Sequence, residues 1–369
     1  MGFSSEVINR GNSIQFLDLD RSVILTNNAA PDSVRDRVPL SPPCSLFSGR
    51  GEWRDCCCAP LIVGNTQVLR VVACVLFLLT CLLFTPLSAA EPPAVTRLTR
   101  DGRFKQRPVW SPDGKSLLFS QHTGDNKIMI LQWTGENVPV QQLMSAVKLP
   151  QLDAIWSADG KWLAWTKVEQ TPGQGNLDLW VSLADGSEPH LIAGNTAGLS
   201  HEEWASWSPD GKRLVFTSTF EKNQELYVVD VSGENRQRLT NDPAFDVHPH
   251  WSPDGKKIVF ATSRWGDFEL AVLDLATSTV TRLTTSRGLD DYPVWSPDGT
   301  QIAFTSNRDG NFEIYLIQAD GSDPRNITQQ PGSDNFPGWS PDGKVIFVSN
   351  RDNRFDLYQT TVPLSKPAF

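Results

Sequence analysis

An all-β chain, folded as a six-bladed β-propeller of four-stranded antiparallel blades, is what three features of the sequence predict. A Trp-Ser-Pro/Ala-Asp-Gly motif begins at Trp110, Trp156, Trp207, Trp251, Trp295 and Trp339. The spacings between successive tryptophans, 46, 51, 44, 44 and 44 residues, fall in the range of a propeller blade. Each repeat reads as short alternating runs cut by turn residues, with no sustained helical period.

The fifth repeat shows how each element arises. Pro293–Ser296 is a short first strand, and Pro297-Asp298-Gly299 is a tight turn in which proline presets φ and glycine accepts φ > 0. Gln301–Ser306 alternates as a second strand, Asn307–Asn311 turns, Glu313–Gln318 is a third strand, and Arg325–Thr328 is the fourth. Earlier repeats end on equivalent fourth strands at Gln141–Leu143, His190–Ile192, Arg238–Thr240 and Arg282–Thr284. The sixth has none after Asp356–Val362, whereas Val95-Thr96-Arg97-Leu98-Thr99 carries fourth-strand sequence ahead of the first tryptophan. The N-terminal strand is therefore expected to complete the last blade and cover an edge that would otherwise be open. The repeated tryptophans are expected to pack between blades, and the Asp-Gly pairs to form turns rather than calcium loops, because the EF-hand run is absent.

Composition divides the chain near residue 90. All six cysteines precede residue 82, and the residues after Ala90 carry all nine net negative charges of the chain, 26 basic against 35 acidic. A stretch of that size buries enough surface to fold without disulfides. The acidic balance and the lack of a basic cluster argue against a nucleic-acid partner. Val71–Phe84 is an uncharged apolar run behind Arg70, followed by Pro86 and by Ser88 and Ala90 at the −3 and −1 positions of a cleavage site before Glu91. Residues 68–90 thus read as a signal peptide or a signal anchor, and residues 91–369 as a periplasmic or secreted propeller. The mixed leader, 1–67, is unusual before an export signal and reads either as untranslated, with a start near Val68 or Leu69, or as a cytoplasmic tail on an uncleaved anchor. Membrane contact is expected only through such an anchor.

The segment Tyr292–Gly321, YPVWSPDGTQIAFTSNRDGNFEIYLIQADG, resembles the TolB-type β-propeller repeat. The resemblance covers residues 95–362, strongest in repeats three to six. It implies six blades, a place in the cell envelope and binding of a protein or peptide partner. The α/β domain that precedes the propeller in that family is not expected here, since four residues separate the cleavage site from Val95.

Candidate functional residues are sought among the loops that lead into each blade and those joining second and third strands, where the repeats vary. Five residues before the tryptophan stand Glu202, Asp246, Asp290 and Asp334, with Lys105 and Gln151 in the first two repeats. With Glu203 and Asp291 these suggest a partial acidic ring at the channel mouth, able to hold a basic segment of a partner; the plainer reading is hydrogen bonding to a neighbouring blade. Trp265 and Arg308 are candidates for a rim around the partner, beside Asp309 and Arg351. Asp246, His248 and His250 alternate along one strand, which suggests an imidazole–carboxylate metal site; packing is the plainer reading. No Gly-x-Ser-x-Gly elbow occurs, and no nucleophile–base pair follows from spacing. A non-catalytic, monomeric binding propeller without a cofactor is the leading expectation. An exported hydrolase or lyase built on a His/carboxylate site is the alternative.

Overall fold

The computed structural model describes residues 94–362, apart from 124–126, 137, 172–173 and 195–197. The leader and the export segment lie outside the described residues, and among the described residues no helix is long and apolar enough to cross a membrane. The described chain forms six antiparallel sheets of four strands. Their innermost strands are Lys105–Trp110, Gln151–Trp156, Glu202–Trp207, Asp246–Trp251, Asp290–Trp295 and Asp334–Trp339. Each lies beside its counterpart in the next blade, and Lys105–Trp110 also lies beside Asp334–Trp339, so the six surround a central axis.

In the fifth blade the second and third strands, Gln301–Ser306 and Glu313–Gln318, fall where alternation places them. The outermost is the short Arg325–Asn326. The innermost strand starts at Asp290, three residues earlier than the sequence suggests, because a β-bulge between Asp291 and Val294 carries the pairing past a break in its alternation.

The motifs now have physical roles. In each Ser-Pro/Ala-Asp-Gly turn the aspartate accepts from the serine hydroxyl, and in the first five also from a backbone N–H two residues on, as Asp298 does from Ser296 at 2.6 Å and Thr300 at 3.0 Å. The glycine that follows takes φ near +70°, as Gly299 does at +72°. Each motif tryptophan packs in an apolar cluster drawn from two adjacent blades: Trp251 with Val215, Leu226, Ile258 and Phe260, Trp295 with Val259, Leu270, Ile302 and Phe304. The Trp207 and Trp339 indoles also donate to carbonyl oxygens of the preceding blade's inner strand, Ile155 at 3.4 Å and Val294 at 3.2 Å.

A second repeated device locks third strand to fourth. In the third blade Thr240 donates to the buried Glu225 carboxylate at 2.6 Å and accepts from the Leu226 N–H at 3.0 Å, while Arg238 pairs with Glu225 at 2.8 Å. In the fourth blade Glu269, Thr284 and Arg282 repeat the arrangement. In the sixth sheet the outermost strand is Val95–Arg97, paired with Asp356–Thr360 in the register Val95↔Thr360 to Arg97↔Tyr358. There Thr99 donates to Asp356 at 2.7 Å and accepts from Leu357 N–H at 3.0 Å, and Arg97 donates to Asp356 at 2.6 Å. The fully buried Lys105 ammonium lies 3.4 Å from the same carboxylate.

Burial by itself pushes the Asp356 carboxyl up, but the bonds from Thr99 and Arg97 and the Lys105 charge outweigh it and hold the group below the usual carboxylate range. Such a group contributes stability above its unfolded value, lost as pH falls through the lower folded value. Asp356→Ala removes the carboxylate shared by Thr99, Arg97 and Lys105, while Lys105 keeps Asp101, and is expected to cost about 1–3 kcal/mol in urea unfolding at pH 7. The gap between variant and wild type should shrink as pH falls below about 4. An unchanged midpoint at pH 7 would show that the joint between the chain's two ends does not hold the ring.

Candidate functional site

One position of the innermost strands faces the axis in every blade. Three residues before each tryptophan stand Arg107, Asp153, Trp204, His248, Tyr292 and Phe336. All six have positive φ, from +46° at Arg107 to +60° at Asp153, and each lies within the register shift of its strand's bulge. Left-handed backbone costs a non-glycine residue about 1–3 kcal/mol, so six in register are a substantial built-in strain. The bulge turns these side chains to the axis, where they meet. Ring centroids lie 4.4 Å apart for Trp204–His248, 4.3 Å for His248–Tyr292 and 4.6 Å for Tyr292–Phe336. Trp204 reaches across to stack on Phe336 at 6.3 Å. The Arg107 guanidinium sits 4.8 Å over the Trp204 ring and donates to the carbonyl oxygens of Asp153, at 3.1 Å, and Ala205.

This layer is the floor of a chamber of about 480 Å³, whose walls are the later residues of the inner strands and the Ser-Pro turns. Pro108, Pro249, Pro293 and Pro337 line it with the motif tryptophans, and His250 is its polar wall. The volume and the mostly apolar lining are those of a ligand site. The chamber extends toward the face of the Ser-Pro-Asp-Gly turns, which is opposite to the face where loop variation points.

Buried acids adjoin the floor. Asp153 is 1% exposed, and neither of its carboxylate oxygens has a hydrogen-bond partner among the described residues. Burial pushes its carboxyl up to about 6 against the opposing pull of Arg107 and His248. Burial and the Asp153 charge push Glu203 up to about 7. The His248 Nδ1 lies 2.5 Å from Asp291. The His250 Nδ1 accepts the Trp295 N–H at 3.3 Å, and burial, aided by Arg107, lowers the ring to about 4.

The residues singled out from sequence fall elsewhere than an open ring. Glu202, Asp246, Asp290 and Asp334 are fully buried, and each is paired with an arginine: Arg236 at 3.0 Å, Arg264 at 2.5 Å, Arg308 at 2.8 Å and Arg351 at 2.9 Å. Lys105 and Gln151 fill the same position in the first two blades and are equally buried. Arg308 is therefore committed to Asp290, stacks 4.6 Å over Tyr315, and is not a free rim residue. Asp291 joins the channel through His248. Trp265 is 39% exposed with Arg282 at 4.8 Å over its ring, as an exposed aromatic on the far face should be.

Asp246, His248 and His250 do not converge. The bulge between Val247 and His250 breaks the two-residue alternation that would have put them on one side of the strand. Asp246 faces Arg264, His248 faces Asp291, and among the described residues no group of three or more His, Cys, Asp or Glu is arranged to hold a metal ion. What sequence reading missed is the channel layer. The only trace in the sequence is the run of ring side chains Trp204, His248, Tyr292 and Phe336 three residues before the motif tryptophans.

Two stability measurements check these assignments. Asp290→Ala leaves Arg308 buried without its carboxylate and is expected to cost about 3–5 kcal/mol in urea unfolding. A cost below about 1 kcal/mol would return Asp290 to the class of exposed, ligand-facing acids. Glu203 has a folded value above its unfolded one, so its charge opposes folding as pH rises through about 7. Glu203→Gln should therefore raise the urea midpoint at pH 8 and change it little at pH 4, and equal effects at both would contradict the burial of that charge.

Two family models match overlapping stretches of the chain. The TolB beta propeller domain matches residues 135–286, and the Tricorn protease N-terminal beta propeller domain matches residues 266–366. The Tol-Pal system protein TolB of Thioalkalivibrio sulfidiphilus is 32% identical over 118 residues, 30% of this chain and 26% of that protein. A TolB homolog of Chlorobaculum tepidum is 34% identical over 128 residues, 34% of this chain and 27% of that protein. The matched part thus spans about a quarter of these curated relatives' length. The putative TolB of Agrobacterium tumefaciens superposes with a TM-score of 0.56 at 21% identity, over 73% of this chain and 97% of that one, a likeness of fold. Repeat and six-sheet ring make the described chain a six-bladed β-propeller, similar over residues 135–286 to the TolB beta propeller domain.

Proposed function

We propose that this chain is a binding propeller of the cell envelope, exported to the periplasm, that holds a protein or peptide partner in the channel chamber. The observation that carries the reading is the floor. Six residues at one position of the inner strands sit in left-handed backbone, and four of them, Trp204, His248, Tyr292 and Phe336, meet as an aromatic surface lining a cavity. The repeated bulge imposes that backbone, and its effect is to aim these side chains into the channel. Aromatic side chains with an arginine among them are the residues that dominate binding at protein interfaces. The relatives named for the Tol-Pal system supply the envelope setting.

A second reading has one observation in its favour. The His248–Asp291 pair fixes one ring nitrogen and leaves Nε2 available as a base, the arrangement an exported hydrolase or lyase would use.

The full chain, used to capture cross-linked proteins from an envelope fraction, separates these readings. Trp204→Ala and Tyr292→Ala should each weaken capture of the partner at least about tenfold, the loss expected when an aromatic anchor at an interface is truncated. Trp265→Ala should leave it unchanged. Loss with Trp265→Ala alone would move the interface to the opposite face. Turnover in a hydrolase and lyase panel that disappears in His248→Ala would replace binding with catalysis.

A further inference from the structure

The chamber floor carries a positive charge with no carboxylate at ion-pair distance among the described residues. Arg97, Arg236, Arg238, Arg264, Arg282, Arg308 and Arg351 all have a carboxylate within ion-pair distance. Arg107 has none: its hydrogen bonds go to two backbone carbonyls, and its ring contact is Trp204. Of its five N–H groups these bonds use two, leaving donors free at the chamber floor. Burial draws its value down to about 10 against the opposing pull of the Asp153 and Glu203 charges. Two carbonyls and an indole face fix the guanidinium in place, so no ordering cost remains for a ligand to meet.

A second donor faces the same space. His250 lines the chamber, and because its Nδ1 accepts the Trp295 N–H, the neutral ring carries its proton on Nε2. Around these two groups the lining is mostly apolar, tryptophan, proline, valine and isoleucine, with Ser206, Ser208, Ser252 and Ser296 among them. The space therefore suits a ligand with an anionic head and an apolar body. Its shape narrows the choice further. The layer from Trp204 to Phe336 spans the axis and ends the chamber at mid-depth, so an extended chain can enter from the turn face by its end, whereas a loop would need room for two strands.

We propose that the chamber receives the C-terminal end of the partner polypeptide, its terminal carboxylate held by Arg107 and His250 and its last, apolar side chain resting on Trp204, Tyr292 and Phe336. This rests on the binding reading above and names the chemistry that the site recognises.

The neighbouring acids give the site a pH signature. Asp153 and Glu203 act electrostatically on Arg107, and His248, Asp291 and Tyr292 complete the surroundings of the floor. As pH falls from 8 to 6, Glu203 and then Asp153 take up protons, and repulsion of an entering anion falls. Affinity for a carboxylate should rise over that interval. A ligand bound through a cationic group would respond in the opposite sense.

The test is affinity selection by the full-length chain from an equimolar mixture of hexapeptides, randomised at every position, half with free C-termini and half amidated, read by mass spectrometry. Free acids ending in an apolar residue should be enriched at least about tenfold over the matching amides, the discrimination a charge-assisted hydrogen bond provides. The ratio should be larger at pH 6 than at pH 8. Arg107→Gln should bring it to about one while Arg107→Lys retains part of it, with near-ultraviolet circular dichroism reporting whether each variant keeps its packing. The acid-to-amide ratio of the wild-type protein stands even where a variant fails to fold. Equal recovery of acids and amides, enrichment of peptides ending in Lys or Arg, or no enrichment at all would each overturn the proposal. If envelope capture still depends on Trp204 and Tyr292 in that event, the binding reading survives and only the C-terminal assignment falls.

Discussion

One backbone constraint organises the axis of this protein. In every innermost strand the residue three places before the tryptophan sits at positive φ, inside a bulge that adds one residue to the pairing. A regular strand would send that side chain to one sheet face and its neighbours two residues away to the same face. The bulge breaks that phase. It lets the residue five places before the tryptophan stay buried, in four blades against an arginine, while the residue three before it reaches the channel. The internal acids, the aromatic floor and the chamber above it all follow from this single displacement, repeated around the ring.

The strain is carried by a scaffold with reserves. Tryptophans bridge adjacent blades, carboxylate–threonine locks join third strands to fourth, and aspartates cap the turns. These devices recur with little change, so the cost of six left-handed residues falls on a frame stabilised many times over. The same redundancy explains why the floor can hold residues as unlike as Arg107, Asp153 and Phe336. Their backbone is imposed by the sheet, and their side chains answer only to one another.

Charge is distributed by the same logic. Paired acids and arginines between the strands neutralise one another out of solvent, where an unpaired partner would be expensive. The channel departs from that rule with an arginine lacking a carboxylate and a carboxylate lacking a hydrogen bond. Departures of this kind, set beside a cavity, are where a fold otherwise at ease with itself makes room for something from outside.

The amino-acid sequence alone determined the number of blades, the turns and most strands, because Trp-Ser-Pro-Asp-Gly and the alternation of Gln301–Ser306 or Glu313–Gln318 are local signals with local causes. It also exposed the fourth-strand motif of Val95–Thr99. It misdirected the reading of Glu202, Asp246, Asp290 and Asp334: a recurring acid looks the same in a loop and in a buried pair, and its partner, about 18 or more residues on, is brought near only by the sheet. Nor did it reveal that Arg107, Trp204, His248, Tyr292 and Phe336 share one layer. The sign of φ in a non-glycine residue leaves no trace in hydrophobic periodicity, so only the closed ring of bulged strands decided which side chains meet at the axis.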